Sequence, residues 1–294
     1  MAIVRTAIGT AAVKGVAYVQ INSGIGFSVG DVIIALHAGD DGDGTKIELW
    51  RAAGLYEEST TVDVVASNSG NVVTQILRLT VSVDAPFGGG YPYIRVRGTN
   101  LVARAAAILL LTGLDSTPFD KSSTGTGSGT TPSSGATATT SQADEILIGA
   151  VGTEGPDGDA AGTWSNSFNN GQRLGTTGAS AAGNVTISEG YLVVSSAAAY
   201  TAAKTGSTSR DWAAAIATYK GQAAGTQYPQ SLTAATASFA AALVCSHGFT
   251  KALTSGMAAM GATISRIPGK TLTGGLAALA AGINKQTRRF LVGG

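Results

Sequence analysis

An all-β fold, a sandwich followed by a small C-terminal assembly region built from repeats, is what this 294-residue chain predicts. Three observations lead there. Short β-branched runs recur between glycine-rich turns over 1–220, charged residues make up only 13% against the usual quarter, and 228–294 repeats itself. So little charge, with a formal net of +1, protects a free chain poorly against association. The composition is that of a protein made to be assembled.

The first strands are expected at 14–20 (KGVAYVQ) and 31–37 (DVIIALH), parted by a turn containing Asn22, Ser23, Gly24 and Gly26. The acidic loop GDDGDGT follows. Strands are expected at 46–51 (KIELWR) and 61–65 (TVDVV), with helix possible between them at AAGLYEES. The run 72–83 reads as one long strand whose parity puts Ile76 and Arg78 on one face and Leu77 and Leu79 on the other. YPYIRVR at 91–97 reads as a strand near a sheet edge, because Pro92 lacks a donor. LVARAAAILLLT at 101–112 is the most apolar run and reads as a central strand.

Residues 122–141, almost wholly Ser, Thr, Gly, Ala and Pro, lack core-forming side chains and read as a surface excursion within the 1–220 domain. Strands resume at 145–152, 184–187, 191–196 and 211–219. The core candidates are Trp50, Leu77, Leu79, Ile108, Leu110, Ile146, Ile148, Leu192, Val194, Trp212 and Ile216.

A linker at 221–227 leads to the repeat. Its copies start at Leu232, Leu253 and Leu272, with apolar residues returning four, seven and eleven positions on, and Leu291 opens a truncated fourth. The assembly residues are Leu232, Phe239, Leu253, Met257, Met260, Ile264, Leu272, Leu276, Leu279 and Ile283. This spacing fits short amphipathic helices, yet its glycines and threonines fit strands as well. A short-period repeat of small side chains cannot close a core alone, so it must stack on neighbours or on other copies of the chain. It holds six cations and no acid, leaving about −5 on the rest, which suits an acidic protein surface. The thin spread of that charge, without interleaved aromatics, argues against nucleic acid.

Little chemistry accompanies this scaffold. His37 beside Asp40 could form part of a hydrolase dyad, but no G-x-S-x-G elbow goes with it. Cys245 and His247 fall short of a zinc ligand set, and the adjacent Glu57 and Glu58 cannot oppose each other across a glycosidic bond. No phosphate loop or dinucleotide fingerprint occurs. The expectation is a non-enzyme without cofactor. The loop carrying Asp40, Asp41 and Asp43, and a second around Asp157 and Asp159, are weak calcium candidates. Tyr91, Tyr93, Trp164 and Phe168 lie in or beside glycine-rich loops, where exposed rings could stack on a sugar; the alternative is that Trp164 and Phe168 cover a sandwich edge. Neither an export signal nor a membrane span is expected, so synthesis in a host cytoplasm is.

Four strand motifs, GDVIIALH at 30–37, ILLLTGLD at 108–115, ADEILIGAVG at 143–152 and DWAAAIATYK at 211–220, together with KALTSG at 251 and KTLTGG at 270, carry a resemblance. The chain resembles tailed-phage virion structural proteins of the capsid-decoration, head-fibre or tail-fibre kind, which have a jelly-roll or lectin-like β-sandwich and C-terminal A-L-T repeats. It departs from them in the low bulk of its repeat. The resemblance implies a location in the virion and a homo-oligomer, commonly a trimer. The implied partner is the major capsid protein or another virion protein; a host surface glycan is the alternative.

Overall fold

The alternation of apolar and polar residues is kept in some strands and lost in others, and that difference maps onto the layers of the fold. The computed structural model describes residues 2–40, 44–51, 54–84, 92–98, 102–178 and 180–222, all within one compact unit, Met1–Gly225. The repeat, its ten assembly residues, Cys245 and His247 lie outside the described residues. All described regular structure is strand, in antiparallel sheets consistent with a β-sandwich.

The first half contains β1 (Val4–Lys14), β2 (Tyr18–Asn22), β3 (Val32–Gly39), β4 (Gly44–Arg51), β5 (Gly54–Ser59), β6 (Thr61–Asn68), β7 (Val72–Thr80), β8 (Tyr93–Gly98) and β9 (Ala103–Thr112). Its sheets run β1-β9-β3-β7-β6 and β2-β8-β4-β5. The second half contains β10 (Leu114–Gly129), β11 (Ser133–Ala136), β12 (Asp144–Glu154), β13 (Ala161–Trp164), β14 (Asn169–Gly175), β15 (Val185–Ser195), β16 (Thr201–Ser207) and β17 (Arg210–Gly221). Its sheets run β10-β17-β12-β15-β14 and β11-β16-β13.

Within each half the first strand pairs with the last, the last with the third, and the second with the second-to-last. Leaving out β5, the halves have one strand order. The sandwich expected over 1–220 is therefore two successive sandwiches of one plan. Short sequence echoes accompany this: Ala-Ala-Ala-Ile at 105–108 in β9 and 213–216 in β17, and Gly-Asn-Val before β7 and β15, with Gly70 and Gly183 at φ of 80° and 74°. Gly113, at the joint between the halves, has φ 75°, and a Cβ there would meet the Ala2 carbonyl oxygen at 2.3 Å.

The two five-stranded sheets pack face to face. Their shared core contains Ile34, Leu36, Ala105, Ala107, Leu109, Ile146, Ile148, Val185, Ala213, Ala215 and Tyr219. Each inner sheet is covered again on its other side: Ile33, Leu77, Leu79, Ile108 and Leu110 meet Val19, Ile47, Leu49, Ile94 and Val96, while Leu147, Val151 and Ile216 meet Trp164, Phe168 and Ala202. Burial on both faces explains the unbroken apolar runs of β3 and β9, and the alanines of β9 and β17 admit two neighbouring layers at close range. Outer strands such as β2 and β8 keep strict alternation.

Polar clasps join the halves. Arg5 on β1 donates two bonds of 2.6 Å to the buried Glu189 carboxylate on β15 and lies 4.2 Å from the Tyr191 ring centroid. The Tyr219 hydroxyl donates to Asp63, which also pairs with Arg78, and Thr74 donates to the Ala213 carbonyl. Burial, then the Asp63 charge, pushes the Tyr219 hydroxyl well above its ordinary pKa, so it remains a donor.

Several expectations are corrected. AAGLYEES contributes no helix in its described part; Gly54–Ser59 is β5, returning along β4 from the pair Arg51↔Gly54. The 14–20 run is split at Gly15, whose φ is 69°, between β1 and β2. β8 lies inside its sheet, not near an edge, because Pro92 precedes the ladder; its carbonyl accepts from the Ser23 amide and hydroxyl. The runs 184–187 and 191–196 form one strand, β15. The supposed excursion supplies the end of β10 and all of β11, with Ser122↔Ala217 through Gly129↔Arg210 paired in register. Its small side chains reflect close approach: a Cβ on Gly125 would meet the Ser133 carbonyl oxygen at 2.2 Å, and one on Gly127 the Trp212 ring at 2.7 Å. Among the core candidates Leu192, Val194 and Trp212 are only partly buried against the third cluster, and Trp50 points outward.

Candidate binding surface

Alternation in three strands of the first outer sheet sends Val19, Ile21, Ile47, Leu49, Ile94 and Val96 into the core. The intervening residues lie on the opposite, outer face as a grid. Register aligns them in three rows: Tyr18, Arg97 and Lys46; Gln20, Arg95 and Glu48; Asn22, Tyr93 and Trp50. A diagonal of cation–π contacts crosses it. The Arg95 guanidinium carbon lies 4.4 Å from the Tyr18 centroid, 4.4 Å from Trp50 and 5.1 Å from Tyr93. Trp50 and Tyr93 are near-parallel, 9° apart with centroids at 6.1 Å.

Glu48 braces the grid. The residue is 2% exposed, and its carboxylate accepts from Trp50 Nε1, Arg97 Nε and Lys46 Nζ. Burial alone would raise its pKa, but the Trp50, Arg97 and Lys46 bonds outweigh it and keep the carboxyl below its ordinary value. Lys46 also bonds Glu58 at 2.7 Å. Arg95, by contrast, meets no carboxylate of a described residue; its Nε donates to Gln20 Oε1 at 2.9 Å.

Of the ring residues expected at a site, only Tyr93 is on this surface, and Tyr91 lies outside the described residues. Trp164 and Phe168 are 8% and 7% exposed and stack on each other in the third core cluster, with centroids 5.9 Å apart. Neither ring is open to a sugar. Tyr18, Trp50, Arg95 and Arg97 had no place among the expected site residues, although the alternation YVQIN, KIELWR and YIRVR already groups them by parity.

Asp40 is 8% exposed, while Asp41 and Asp43 lie outside the described residues. Asp157 pairs with Arg173 at 3.0 Å and Asp159 with Arg210 at 2.7 Å, so arginines occupy the second loop's carboxylates. Among the described residues no group of three or more His, Cys, Asp or Glu side chains is placed to hold a metal.

His37 is buried, 1% exposed, and faces Gln75 across the ladder. Burial, reinforced by the Arg104 charge, lowers its pKa to about 3. The folded protein thus binds fewer protons than the unfolded chain between the ordinary value of 6.5 and about 3. The stabilisation is complete above 6.5 and is lost as pH falls through that window, at about 1.4 kcal/mol per pH unit. Glu145, raised to about 7 chiefly by burial, acts oppositely: its contribution is full below 4.5 and fades toward 7. Urea unfolding of wild type and His37→Leu across pH 4–7 separates them. The His37 contribution is the difference in slope, and equal slopes would refute its buried neutral state.

Comparison with known proteins found no matching family model, no matching curated protein and no matching solved structure.

Proposed function

We propose that this chain is a phage virion structural protein, a capsid-decoration or head-fibre subunit that acts through protein–protein assembly. The observation carrying the reading is the strand order: with β5 left out, the first, eighth, third, sixth and fifth strands in one sheet and the second, seventh and fourth in the other, used twice in tandem. That order supports a jelly-roll reading, two Greek keys wrapped into facing sheets, an architecture recurrent in viral capsid and lectin domains. The warrant for function is analogy at the level of the fold. The four strand motifs of the resemblance fall on β3, the end of β9, β12 and β17.

In this reading the basic repeat at 228–294 is the oligomerising or anchoring part, with a homotrimer as the expected assembly and the major capsid protein as partner. Removing 228–294 is expected to leave a folded sandwich that is monomeric and detached from particles. Sizing and particle co-sedimentation check this, and a truncated protein of unchanged oligomer size that still attaches would overturn it. Immunogold labelling on capsomers is expected, and label confined to the tail would replace decoration with a second reading, a receptor- or glycan-binding tail protein. The outward aromatic and arginine grid favours that second reading, on a sheet face instead of the sandwich loops.

A further inference from the structure

The two outer sheets occupy corresponding places in two sandwiches of one plan, so each is a control for the other. In the second half the outward positions of β11, β16 and β13 carry Ser133, Gly135, Thr201, Ala203, Thr205, Ala161 and Thr163. Such a face meets every requirement of the fold with small side chains. The first outer sheet carries two tyrosines, a tryptophan, two arginines, a lysine, a glutamate and two amides in the same role. Folding does not ask for that investment.

We propose that the outer face of β2, β8 and β4 binds an acidic polysaccharide, with the Arg95 guanidinium receiving a sugar carboxylate and the pyranose ring lying against the exposed side of the stacked Trp50–Tyr93 pair. Arg95 is held by rings on three sides, and Gln20 is the hydrogen-bond acceptor it meets. A guanidinium has five donors in a planar fork, so most remain for a carboxylate, which it binds bidentately. Its three ring contacts mean that little side-chain entropy is left to lose on binding. The exposed amides of Gln20 and Asn22 border the guanidinium and Tyr93 in the ladder and suit sugar hydroxyls. Lys46 and Arg97 are already engaged by Glu48, so the face offers one open cation among neutral hydrogen-bonding groups. That charge pattern matches a polymer with sparse carboxylates. A nucleic acid, with a phosphate at every residue, draws its affinity from several free cations, which this face does not offer.

This proposal gives the ligand class for the tail-protein reading but does not depend on particle location. Binding is tested on the isolated full chain, so label on capsomers and loss of binding are separate results. Calorimetric titration with short oligogalacturonates, hyaluronan and oligosialate is expected to show saturable binding of at least one. For that sugar, methyl esterification of the carboxylates should abolish binding. Arg95→Lys keeps a cation over the rings and the fold, monitored by melting temperature, yet should weaken binding about tenfold or more through loss of the fork. Trp50→Ala should weaken it comparably, whereas Thr163→Ala and Thr205→Ala on the second outer sheet should not. Overturning results are no binding to any of the three, equal binding of the ester, affinity unchanged in Arg95→Lys, or preference for oligothymidylate.

Discussion

Arg5→Met is expected to destabilise the protein by about 3–5 kcal/mol, the cost of leaving a buried charge without its partner. Glu189 is fully buried at its side chain, and Arg5 is 13% exposed. Two bonds of 2.6 Å from Arg5 and one of 2.9 Å from the Gln172 backbone N–H satisfy the carboxylate. Methionine preserves much of the bulk over Tyr191 but removes both charged donors. Urea unfolding at neutral pH measures the loss. The double variant Arg5→Met, Glu189→Gln should recover part of it, because the orphaned charge is gone. A single variant within 1 kcal/mol of wild type would show that the clasp contributes little to holding the halves together.

Trp164→Ala is the second large effect, about 3–5 kcal/mol for emptying an aromatic site in a packed core. Two glycines make the slot. A Cβ on Gly190 would come within 2.6 Å of the indole, and one on Gly149 would meet it at 3.2 Å and Ala202 at 2.8 Å. Phe168 stacks on one side, and the Lys204 ammonium lies 5.4 Å from the Trp164 ring centroid. Gly190→Ala should therefore destabilise in the same direction, by overpacking, at about 1–3 kcal/mol. Thermal unfolding followed by circular dichroism checks both. If Trp164→Ala melts as wild type does, the indole is not a core residue and its exclusion from the binding surface fails.

These two sites show where sequence reasoning stops. TWSNSFNNG lies in or beside glycine-rich loops, where its rings could be open to a ligand or could cover a sandwich edge. What buries Trp164 is a gap provided 15 and 26 residues away by Gly149 and Gly190, which no local pattern reports. Arg5 reads as an ordinary terminal cation, since its partner is 184 residues distant. The outer face of β2, β8 and β4 escapes sequence reasoning in the opposite way. Its residues alternate cleanly, yet an isolated tryptophan in KIELWR reads as core by size, and only the register of β4 against β8 shows that it shares a face with Tyr93 and Arg95.

By itself the sequence determined the strand-rich class, the parity of β7 and the interior position of β9; β-branching, glycine turns and side-chain period are local properties. Only the tertiary structure decided that there are two sandwiches where composition suggests one, that the Ser, Thr and Gly stretch is ladder, that Trp50 faces outward and that Trp164 sits in a core cluster. Backbone hydrogen bonding accepts almost any small residue, so GTGSG carries no trace of the strand it forms. Layer order and burial depend on what packs across a gap, and that is settled by residues far away along the chain.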